Sequence, residues 1–377
     1  MRFLVDARPA LDPRRTGVGT YTARLLEHLP AAAPDDTVVA WYLHARGLLH
    51  PRRFFAGIAG LEERASRVPA RVFQPLAMRL GVPRIDRSVA FDALLATNFV
   101  PPPTRSRGTV LVVHDLAFVA HPETAPQMDA RFLRRFRASL AACASAIVPS
   151  RSVRTDLLAF GGVGEDRIAV VPHGVDAAAR PPTDAAARRS RLGASGPYAL
   201  FVGGIEPRKN LVRLVAAVAA VPGARLVVAG GAVRWFPAAD RALDDAIAAL
   251  APEARARIVR VGYVGDDDRR ALLDGAALLA YPSLAEGFGL PVLEAMAAGV
   301  PVLTSDRSAL PEVAGDDAVL VDPFDVDAIA GGLARLLGDD ALRTDLARRG
   351  RARAAAFPWS ATARATAAVL RSAGQAR

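Results

Sequence analysis

The chain has 377 residues, of which 51% are hydrophobic and 23% are charged. This length predicts two domains of ordinary size, and the apolar content excludes an intrinsically disordered chain. Arginines and prolines interrupt every long apolar run, so no transmembrane helix is predicted, and residues 1–11 lack the apolar core of a signal peptide. A single cysteine, Cys143, excludes an intramolecular disulfide framework and a cysteine-rich zinc site. We therefore expect a soluble, cytoplasmic α/β protein.

The positive charge is confined to the first half of the chain. Residues 1–195 contain 27 arginines and 17 acidic residues, whereas residues 196–377 contain 21 basic and 21 acidic residues. A basic surface attracts phosphorylated substrates, lipid headgroups or nucleic acid. Arginine-rich codon usage explains part of the excess but should affect both halves alike. The asymmetry predicts an anionic acceptor, or a peripheral contact with an anionic membrane surface, near the first domain.

Short apolar runs alternate with helical stretches along the first half, which is typical of doubly wound parallel sheets. Strands are predicted over Arg2–Ala7, Val38–Leu43, Ala93–Ala96, Thr109–Val113, Ala146–Pro149 and Ile168–Val171, and helices over Tyr21–Leu29, Ala130–Ala142 and Ser152–Phe160. The segment 44–88 has nine arginines and three acidic residues and no strand pattern. We expect it to form a helical insertion that either covers the domain or contacts an anionic, apolar surface.

The second half restarts the same pattern. Strands are predicted over Tyr198–Val202, Arg225–Ala229, Ile258–Val261, Leu278–Tyr281, Val300–Thr304 and Ala318–Val321, and helices over Leu211–Val221 and Leu333–Leu337. The Ala/Arg/Pro-rich segment 176–195 is interpreted as an interdomain linker. Residues 1–180 and 196–357 then form two Rossmann-like domains, and we expect a ligand in a cleft between them.

The most specific motif is Glu-Gly-Phe-Gly-Leu-Pro-Val-Leu-Glu at residues 286–294, directly after a predicted strand. Pro291 suits the first turn of a helix. A glycine-flanked loop that leads into a helix presents backbone N–H groups and the positive end of the helix dipole, which suits a phosphate. Glu286 and Glu294 are expected to face the ligand. The alternative is a capping carboxylate and an exposed helix glutamate.

A second motif, Gly-Gly-Ile-Glu-Pro-Arg-Lys-Asn, follows the first strand of the second half at residues 203–210. Gly203 and Gly204 allow close backbone approach, and Arg208 and Lys209 place two cations at the entrance of the next helix. Lys209 is the only lysine in a chain with 47 arginines. Its retention indicates a site that needs a compact ammonium, such as a phosphate site, with chance retention as the alternative.

Three further features are less specific. The Gly17-Val-Gly19 turn precedes a predicted helix, and such a pair of glycines is common. His114 follows a strand and could contact a sugar hydroxyl or a phosphate, or could be a loop residue bonded to its neighbours. The acidic run 266–268 resembles a metal site but is better explained as the first turn of a helix, and His173 is interpreted as structural.

Taken together, the motifs resemble glycosyltransferase family 4. The match runs nearly end to end: GVGTY, HDL and VVPHGVD lie in the first half, and GIEPRKNL, GYVGDDD, YPSLAEGFGLPVLEAMAAGVPV and SALPEVAGDDAVLVDP in the second. The EPRKN block and the two glutamates eight residues apart are the specific elements. The resemblance implies the GT-B fold, with two Rossmann-like domains facing across a cleft and a C-terminal helix, 358–374, that returns to the first domain.

The family implies retaining transfer of a hexosyl unit from a nucleotide-diphosphate sugar to a hydroxyl, without a metal or other cofactor. The EPRKN block resembles mannosyltransferases of envelope polysaccharide assembly, so we expect GDP-mannose first and a UDP-sugar second. The acceptor would be a glycan or a polyprenyl-diphosphate-linked sugar. By this resemblance Glu294 would hold the ribose and Glu286 would face the donor sugar, with His114 nearby.

The remaining donor contacts follow from the same resemblance. Arg208 and Lys209 would bind the diphosphate, and the first domain would approach it through Gly17 and Gly19. Many relatives have an arginine where this chain has Gly204, which leaves more of the diphosphate charge to Arg208 and Lys209. The other implied contacts are the backbone of Gly287, Phe288, Gly289 and Leu290 for sugar and phosphate, Gly203 in the strand-end loop, and Tyr263 and Val264 for the base.

Three alternatives remain open. A glycosidase that uses Glu286 and Glu294 as an acid–base pair would leave Arg208 and Lys209 unexplained. A sugar phosphorylase of the same fold would require free phosphate. A nucleic-acid-binding protein is suggested by the isoelectric point of about 10.8, but no recognised module is present and only 6% of the residues are aromatic. We therefore expect no nucleic acid among the partners.

Overall fold

The computed structural model describes residues 1–13, 15–43, 53–66, 68–122, 128–176 and 181–375. The chain divides into two compact units. The first unit comprises Met1–Leu116, Met128–Gly174 and Trp359–Arg377, and the second comprises Ala117–Gln127 and Val175–Pro358. Each unit contains one parallel sheet.

The sheet of the first unit has the strand order β3-β2-β1-β4-β5-β6-β7 in the described residues. Its central strands consist of apolar residues because both of their faces are buried, as in Phe3, Leu4 and Val5 of the first strand. The strands are β1 (Arg2–Asp6), β2 (Thr37–Leu43), β3 (Leu61–Ser66), β4 (Ala93–Ala96), β5 (Thr109–Val112), β6 (Ser145–Val148) and β7 (Ile168–Val170).

The sheet of the second unit has the order β10-β9-β8-β11-β12-β13. Its strands are β8 (Ala199–Val202), β9 (Leu226–Ala229), β10 (Ile258–Gly262), β11 (Leu278–Tyr281), β12 (Val302–Ser305) and β13 (Val319–Val321). Chain order reverses at β8, which pairs with β9 on one side and β11 on the other. Loops diverge at such a switch point, so the carboxyl ends of β8 and β11 form a natural ligand site.

Helices connect the strands of both sheets. In chain order they are α1 (Gly17–Ala32), α2 (Ala70–Leu80), α3 (Ala117–Ala120), α4 (Ala130–Ala142), α5 (Arg151–Phe160), α6 (Ala185–Arg191), α7 (Leu211–Ala220), α8 (Pro237–Ala248), α9 (Pro252–Arg255), α10 (Asp266–Gly275), α11 (Leu290–Ala298), α12 (Leu310–Ala314), α13 (Val326–Gly338), α14 (Asp340–Ala355) and α15 (Trp359–Gln375). Side-chain caps mark some of their starts, since Asp129 accepts from Phe132 N at 2.8 Å at the start of α4.

The C-terminal helix α15 belongs to the first unit. It packs against α1, and Thr362 Oγ1 donates to the Pro172 carbonyl oxygen at 2.8 Å. This confirms the expected return of the last helix to the first domain. Among the residues that the structure describes, no helix is long and apolar enough to cross a membrane.

Two local predictions were wrong. The segment 44–88 contains the edge strand β3, which pairs with β2 from Val38↔Leu61 to Leu43↔Ser66. Its sequence, LEERAS, is polar because an edge strand is only partly covered, so the apolar pattern of a strand is missing. The helical prediction holds for α2, and residues 44–52 lie outside the described residues.

The predicted linker 176–195 contains helix α6, which packs against α10 in the second unit. Arg188 Nη1 lies 2.8 Å from Asp268 Oδ1, and Arg189 Nη1 lies 2.7 Å from Asp274 Oδ2. These acidic partners are about eighty residues away along the chain, so local composition could not reveal that the segment is held in place.

Candidate active site

Two loops at the switch point of the second sheet carry the most specific motifs. The loop after β8 runs from Gly203 through a short 3₁₀ turn, Pro207–Lys209, into α7. The loop after β11 runs from Pro282 to Gly289 and leads into α11. Because β8 and β11 are adjacent and parallel, both loops leave the same edge of the sheet.

The two loops meet in a buried cluster of charges. Lys209 Nζ lies 2.5 Å from Glu286 Oε1, and Arg208 Nη1 lies 2.8 Å from Glu286 Oε2. Arg208 Nε also lies 2.9 Å from Glu206 Oε2. Two cations and two carboxylates are thus in contact, with only 8% of the Lys209 and Glu286 side chains exposed. The structure brings together the predicted residues Arg208, Lys209 and Glu286.

Tyr281, the last residue of β11, completes the surroundings of Lys209. Its hydroxyl accepts a hydrogen bond from Lys209 Nζ, which also lies 4.8 Å from the centre of the ring. The ring of Tyr281 stacks on Phe201 of β8 at a centroid distance of 5.7 Å. The ammonium is therefore held between a carboxylate and a fixed aromatic residue.

Burial and charge act differently on the members of this cluster. Burial alone would raise the pKa of Glu286, but the charges of Arg208 and Lys209 outweigh it and bring that pKa to about 2. Burial, followed by the charge of Arg208, lowers the pKa of Lys209 despite the attraction of Glu286. Burial and then Glu286 raise the pKa of Tyr281 well above its usual range, so its hydroxyl stays neutral.

Backbone contacts fix the two loops against each other. Leu284 N donates to the Arg208 carbonyl oxygen at 2.8 Å, and Ser308 Oγ accepts from Glu286 N at 3.0 Å. Asn210 adopts a left-handed conformation, with φ of 62°, and its amide donates to the carbonyl oxygens of Pro282 and Pro323. The charged side chains are thus carried on a rigid support.

The start of α11 is shaped by Gly289, whose φ of 105° strongly favours glycine. A Cβ at this position would lie 2.7 Å from Leu310 Cδ2. Pro291 occupies the first turn, where its missing N–H costs nothing. Phe288 is buried, and the loop of Gly287, Phe288 and Gly289 leads to the positive end of the helix at Leu290.

Glu294 lies one turn into α11 and forms an ion pair with Arg269 of α10. The side chain of Glu294 is 23% exposed. Its charge is the main cause of the raised pKa of Arg269.

Tyr263 and Val264 follow β10, and 51% of Tyr263 is exposed. A Cβ built on Gly231, after β9, would lie 3.5 Å from Tyr263 Cβ, so these loops are neighbours.

The predicted glycines of the first unit, Gly17 and Gly19, lie at the start of helix α1. Gly17 and Gly19 form the first turn of α1 rather than a loop ahead of it. A Cβ on Gly17 would meet no atom within 4 Å, whereas one on Gly19 would lie 2.8 Å from the Pro9 carbonyl oxygen. Open space at Gly17 is compatible with a ligand, whereas Gly19 is required by packing.

His114 is buried in a cluster of rings. Its Nε2 lies 2.9 Å from the Thr97 carbonyl oxygen and its Nδ1 lies 3.4 Å from His173 Nε2. Tyr21 packs edge-on to His114 at 5.0 Å. Burial lowers the pKa of both histidines, so both are neutral and donate through Nε2. This packing is consistent with a structural role for His173. It also engages both ring nitrogens of His114.

Sequence reasoning missed three contributors to the site. Tyr281 is the last residue of β11, Ser308 follows β12, and Gly230 follows β9. A Cβ on Gly230 would lie 1.8 Å from the Gly203 carbonyl oxygen, so only glycine permits the two strand ends to approach. The tyrosine at the end of an otherwise aliphatic strand was the one available signal.

The acidic run 266–268 forms the first turn of α10, and Asp268 pairs with Arg188 and Arg191. Within the described ranges, no group of three or more His, Cys, Asp or Glu residues could hold a metal ion.

Chemically, the switch point can bind an anion, because two cations and a helix N-terminus adjoin it.

Comparison with known proteins identifies the family to which this chain belongs. Residues 183–353 match the family described as Glycosyl transferases group 1, and residues 15–179 match Glycosyltransferase Family 4. The O-antigen chain mannosyltransferase B of Escherichia coli is 30% identical, with 95% of this chain and 96% of that protein covered. The chain belongs to glycosyltransferase family 4 and is a glycosyltransferase.

Other similar proteins differ in substrate. The D-inositol 3-phosphate glycosyltransferase of Xylanimonas cellulosilytica is 37% identical over 60% of this chain and 56% of that protein. The structure of HepE from Anabaena, in complex with UDP-glucose, is 17% identical and has a TM-score of 0.73, with 99% of this chain and all of that chain covered. The structural likeness confirms the GT-B fold.

Proposed function

We propose that the protein transfers a hexosyl unit, with retention of configuration, from a nucleotide-diphosphate sugar to a hydroxyl of a glycan or a lipid-linked acceptor in envelope polysaccharide assembly. GDP-mannose is the first candidate donor, supported by the similarity to the Escherichia coli mannosyltransferase along nearly the whole chain. A UDP-sugar is the second, since HepE was solved with UDP-glucose. The second unit would bind the donor, and the first unit would bind the acceptor.

The observation that carries this proposal is the contact of Arg208 and Lys209 with Glu286 beside the start of α11. Within the protein, Arg208 pairs with Glu206 and Glu286 and Lys209 pairs with Glu286, so the carboxylates orient the two cations. A diphosphate that approaches the cluster gains the attraction of both cations and of the α11 dipole. These groups need no reorganisation during the reaction, which is the main source of electrostatic catalysis.

The proposed chemistry breaks the bond between the anomeric carbon and the diphosphate oxygen. Positive charge then develops on the sugar ring and negative charge on the leaving diphosphate, which Arg208 and Lys209 stabilise. The acceptor hydroxyl attacks from the same face, forms the new C–O bond and passes its proton to the leaving diphosphate. Glu286 engages both cations, so we assign to it the orientation of Arg208 and Lys209 as well as a place near the donor sugar.

We propose further that side-chain cations replace a metal ion in this reaction. If so, exhaustive treatment with EDTA leaves turnover unchanged and added Mg²⁺ does not increase it. A loss of turnover that Mg²⁺ restores would contradict this part of the proposal.

Gly17 and His114 of the first unit, which the family places near the donor, remain proposed contacts of the diphosphate and the sugar. We propose a cytoplasmic enzyme.

The test combines donor binding with a variant of the cluster. A panel of nucleotide sugars is screened by thermal shift, because a bound donor raises the melting temperature. Lys209→Met keeps the side-chain length and removes the charge, and we expect turnover to fall about 10²–10³-fold while the protein stays folded. Arg348→Gln, on the surface of α14, serves as the control. NMR of the product reports the anomeric configuration.

Three results would contradict the proposal: no nucleotide sugar raises the melting temperature, Lys209→Met turns over at the wild-type rate, or the product has inverted configuration. The first two would remove the donor site, and the third only the retaining mechanism. Phosphorolysis of a glycan by free phosphate would instead identify a phosphorylase.

A further inference from the structure

Two large aromatic rings are exposed on adjacent loops of the second unit. Trp235, which is 58% exposed, lies in the loop between β9 and α8, and Tyr263, which is 51% exposed, directly follows β10. The other two tryptophans of the chain, Trp41 and Trp359, are buried. A single exposed apolar residue is ordinary, but two rings beside a candidate active site are suited to contact a flat ligand.

The strand order places the loop of Trp235, residues 230–236, between two motifs of the candidate active site. We call this segment the β9 loop. In the sheet, β9 lies between β8 and β10, and the three strands are parallel, so the loops that follow them leave the same edge. β8 and β10 are two strand spacings apart, or about 10 Å. A ligand that reaches from Arg208 and Lys209 after β8 to Tyr263 after β10 therefore crosses the β9 loop.

The β9 loop contacts the loops on both of its sides. Ile205 N donates to the Gly231 carbonyl oxygen at 3.1 Å, which continues the pairing of β8 with β9 beyond the strands. A Cβ on Gly204 would lie 2.7 Å from Val233 Cγ2, and a Cβ on Gly231 would lie 3.5 Å from Tyr263 Cβ. The segment that carries Trp235 therefore touches both motifs.

Contacts within the β9 loop hold Trp235 at the surface. Phe236 is buried, and its N–H donates to the Val233 carbonyl oxygen at 2.8 Å. The exposed Arg234 lies with Cζ 5.4 Å from the centre of the Trp235 ring, which is a cation–π contact. The buried phenyl ring anchors the loop, and the guanidinium covers part of the indole, while more than half of Trp235 stays open to solvent.

The proposed donor has a flat group at the end that is remote from its sugar. The diphosphate would lie at Arg208 and Lys209, and the hexose would lie near Glu286, which follows β11. Because β11 and β9 lie on opposite sides of β8, the nucleoside would extend toward the β9 loop and Tyr263. Proteins hold nucleobases by stacking them on aromatic side chains, since every base has a π-face.

We infer that Trp235 is a stacking residue for the nucleobase of the donor, with Tyr263 of the neighbouring loop as the second wall of the base site. The indole contacts the face of the base, and Arg234 packs on the indole and holds its orientation. The inference rests on the proposed function, because it assigns the nucleoside end of the same donor. It adds to the donor site a third loop, which lies between the two motifs in the sheet.

Carbohydrate is the other class of ligand that packs on exposed aromatic rings. A sugar acceptor approaches the anomeric carbon, which the proposed function places on the β11 side of the diphosphate, whereas Trp235 lies on the β9 side. The guanidinium of Arg234 beside the indole also suits an anionic nucleotide better than a neutral glycan. Both observations favour the nucleotide.

The experiment is a titration of the full chain with GDP and with UDP, followed by tryptophan fluorescence and calorimetry. A base stacked on an indole quenches its emission, and we expect the nucleotide to quench the emission that Trp235 contributes. That contribution is the difference between wild type and Trp235→Phe without nucleotide. Trp235→Leu keeps an apolar side chain without a ring and should weaken nucleotide binding about tenfold, whereas Trp235→Phe should stay within about threefold of wild type.

Phe324→Leu is the matched control. Phe324 is another exposed aromatic residue of the second unit, and Arg213 and Arg307 each lie with Cζ 5.5 Å from the centre of its ring. It follows β13, at the edge of the sheet remote from β9, so this variant should bind nucleotide like the wild type.

Four results would overturn the inference: wild-type affinity in Trp235→Leu, equal losses of affinity in the leucine and phenylalanine variants of Trp235, an equal loss in Phe324→Leu, or quenching that persists in Trp235→Phe. Quenching by methyl α-mannoside and not by either nucleotide would overturn it in favour of a carbohydrate site. Melting temperatures without ligand show that each variant is folded, as expected for substitutions of exposed residues.

Failure of this inference is distinguishable from failure of the proposed function. If neither GDP nor UDP binds to the wild type in the calorimeter, the donor site and the stacking residue are both overturned. If nucleotide binding is weakened by Lys209→Met but not by Trp235→Leu, only the stacking residue is overturned.

Discussion

The ammonium of Lys209 lies 2.5 Å from the carboxylate of Glu286, although 77 residues separate them in the chain. The contact joins the loops that leave two adjacent strands, β8 and β11. It places the only lysine of the chain in a buried site. An arginine at this position would bring a longer side chain and a planar guanidinium, whose hydrogen-bonding geometry differs from that of an ammonium. The switch point of the second sheet therefore already holds an oriented cation before any donor binds.

Replacement of Tyr281 by phenylalanine tests how this cation is held. Tyr281→Phe removes the hydroxyl that accepts from Lys209 Nζ and keeps the ring. A buried ammonium that loses an acceptor becomes harder to keep charged, so the pKa of Lys209 should fall further. We expect about tenfold lower turnover and a shift of the basic limb of the pH profile to lower pH.

Tyr198→Phe is the matched control for this variant, because the Tyr198 hydroxyl donates to the Leu272 carbonyl oxygen in the same core but away from Lys209. An unshifted basic limb in Tyr281→Phe would show that Tyr281 does not act through Lys209. Equal losses of turnover in the two variants would point to core packing instead.

The low pKa of Glu286 predicts a pH-dependent contribution to stability. Because the folded-state pKa is about 2 and the ordinary value is 4.5, folding favours the carboxylate. This contribution is complete above about pH 5 and decreases as the pH falls from 4.5 toward 2. The difference in free energy of unfolding between wild type and Glu286→Gln should therefore shrink over that range, as measured by urea unfolding.

Carboxylates elsewhere in the protein titrate equally in both proteins, so their effects cancel in the comparison. Between pH 5 and 6 Glu286 is ionised in both the folded and unfolded states, so its own contribution to the difference should be constant there. A difference that stays constant down to pH 3 would mean that Glu286 is not held as a carboxylate by Arg208 and Lys209.

Glu294 could bind the donor ribose or act only through its ion pair with Arg269, and kinetics of two variants distinguish these roles. If Glu294 binds the donor ribose, Glu294→Gln should raise the KM for the donor about tenfold or more with little change in kcat, because the interaction would be present in ground and transition states alike. Arg269→Gln should have a smaller effect. Initial rates over a range of donor concentrations provide the measurement.

The double variant Glu294→Gln/Arg269→Gln is the control for this interpretation. Identical kinetics in both single variants and the double variant would show that Glu294 matters only through its ion pair. In that case the ribose would be held elsewhere.

The two glycines at the start of α1 should respond differently to alanine. Gly19→Ala places a Cβ 2.8 Å from a backbone oxygen and should destabilise the first unit by about 1–3 kcal/mol. Gly17→Ala meets no atom within 4 Å and should be neutral or stabilise the helix by up to about 1 kcal/mol. Tryptophan fluorescence during guanidinium unfolding reports on this unit, because Trp41 and Trp359 are buried there.

Gly17→Ala also tests the donor contact without a loss of stability. A raised KM for the nucleotide sugar would support close approach of the diphosphate to Gly17, whereas an unchanged KM would remove this contact from the proposal. Equal destabilisation by both alanines would contradict the packing at Gly19.

Local patterns were sufficient for most of the architecture. Apolar runs such as Leu278–Tyr281 identify buried parallel strands because both faces of such strands lie in the core. Glycine and proline at 289 and 291 identify the start of α11 because their backbone constraints are local. The edge strand β3 was missed because a strand with little covering keeps polar residues.

The contacts within the site were decided by tertiary structure. Glu286 was expected to face the sugar, but the folded chain places both of its oxygens on Arg208 and Lys209, and His114 lies among buried rings. Residue type and spacing indicate which chemical groups can contribute to the site. Which group neutralises, orients or covers another depends on strand adjacency and loop packing between residues tens of positions apart, which no local pattern encodes.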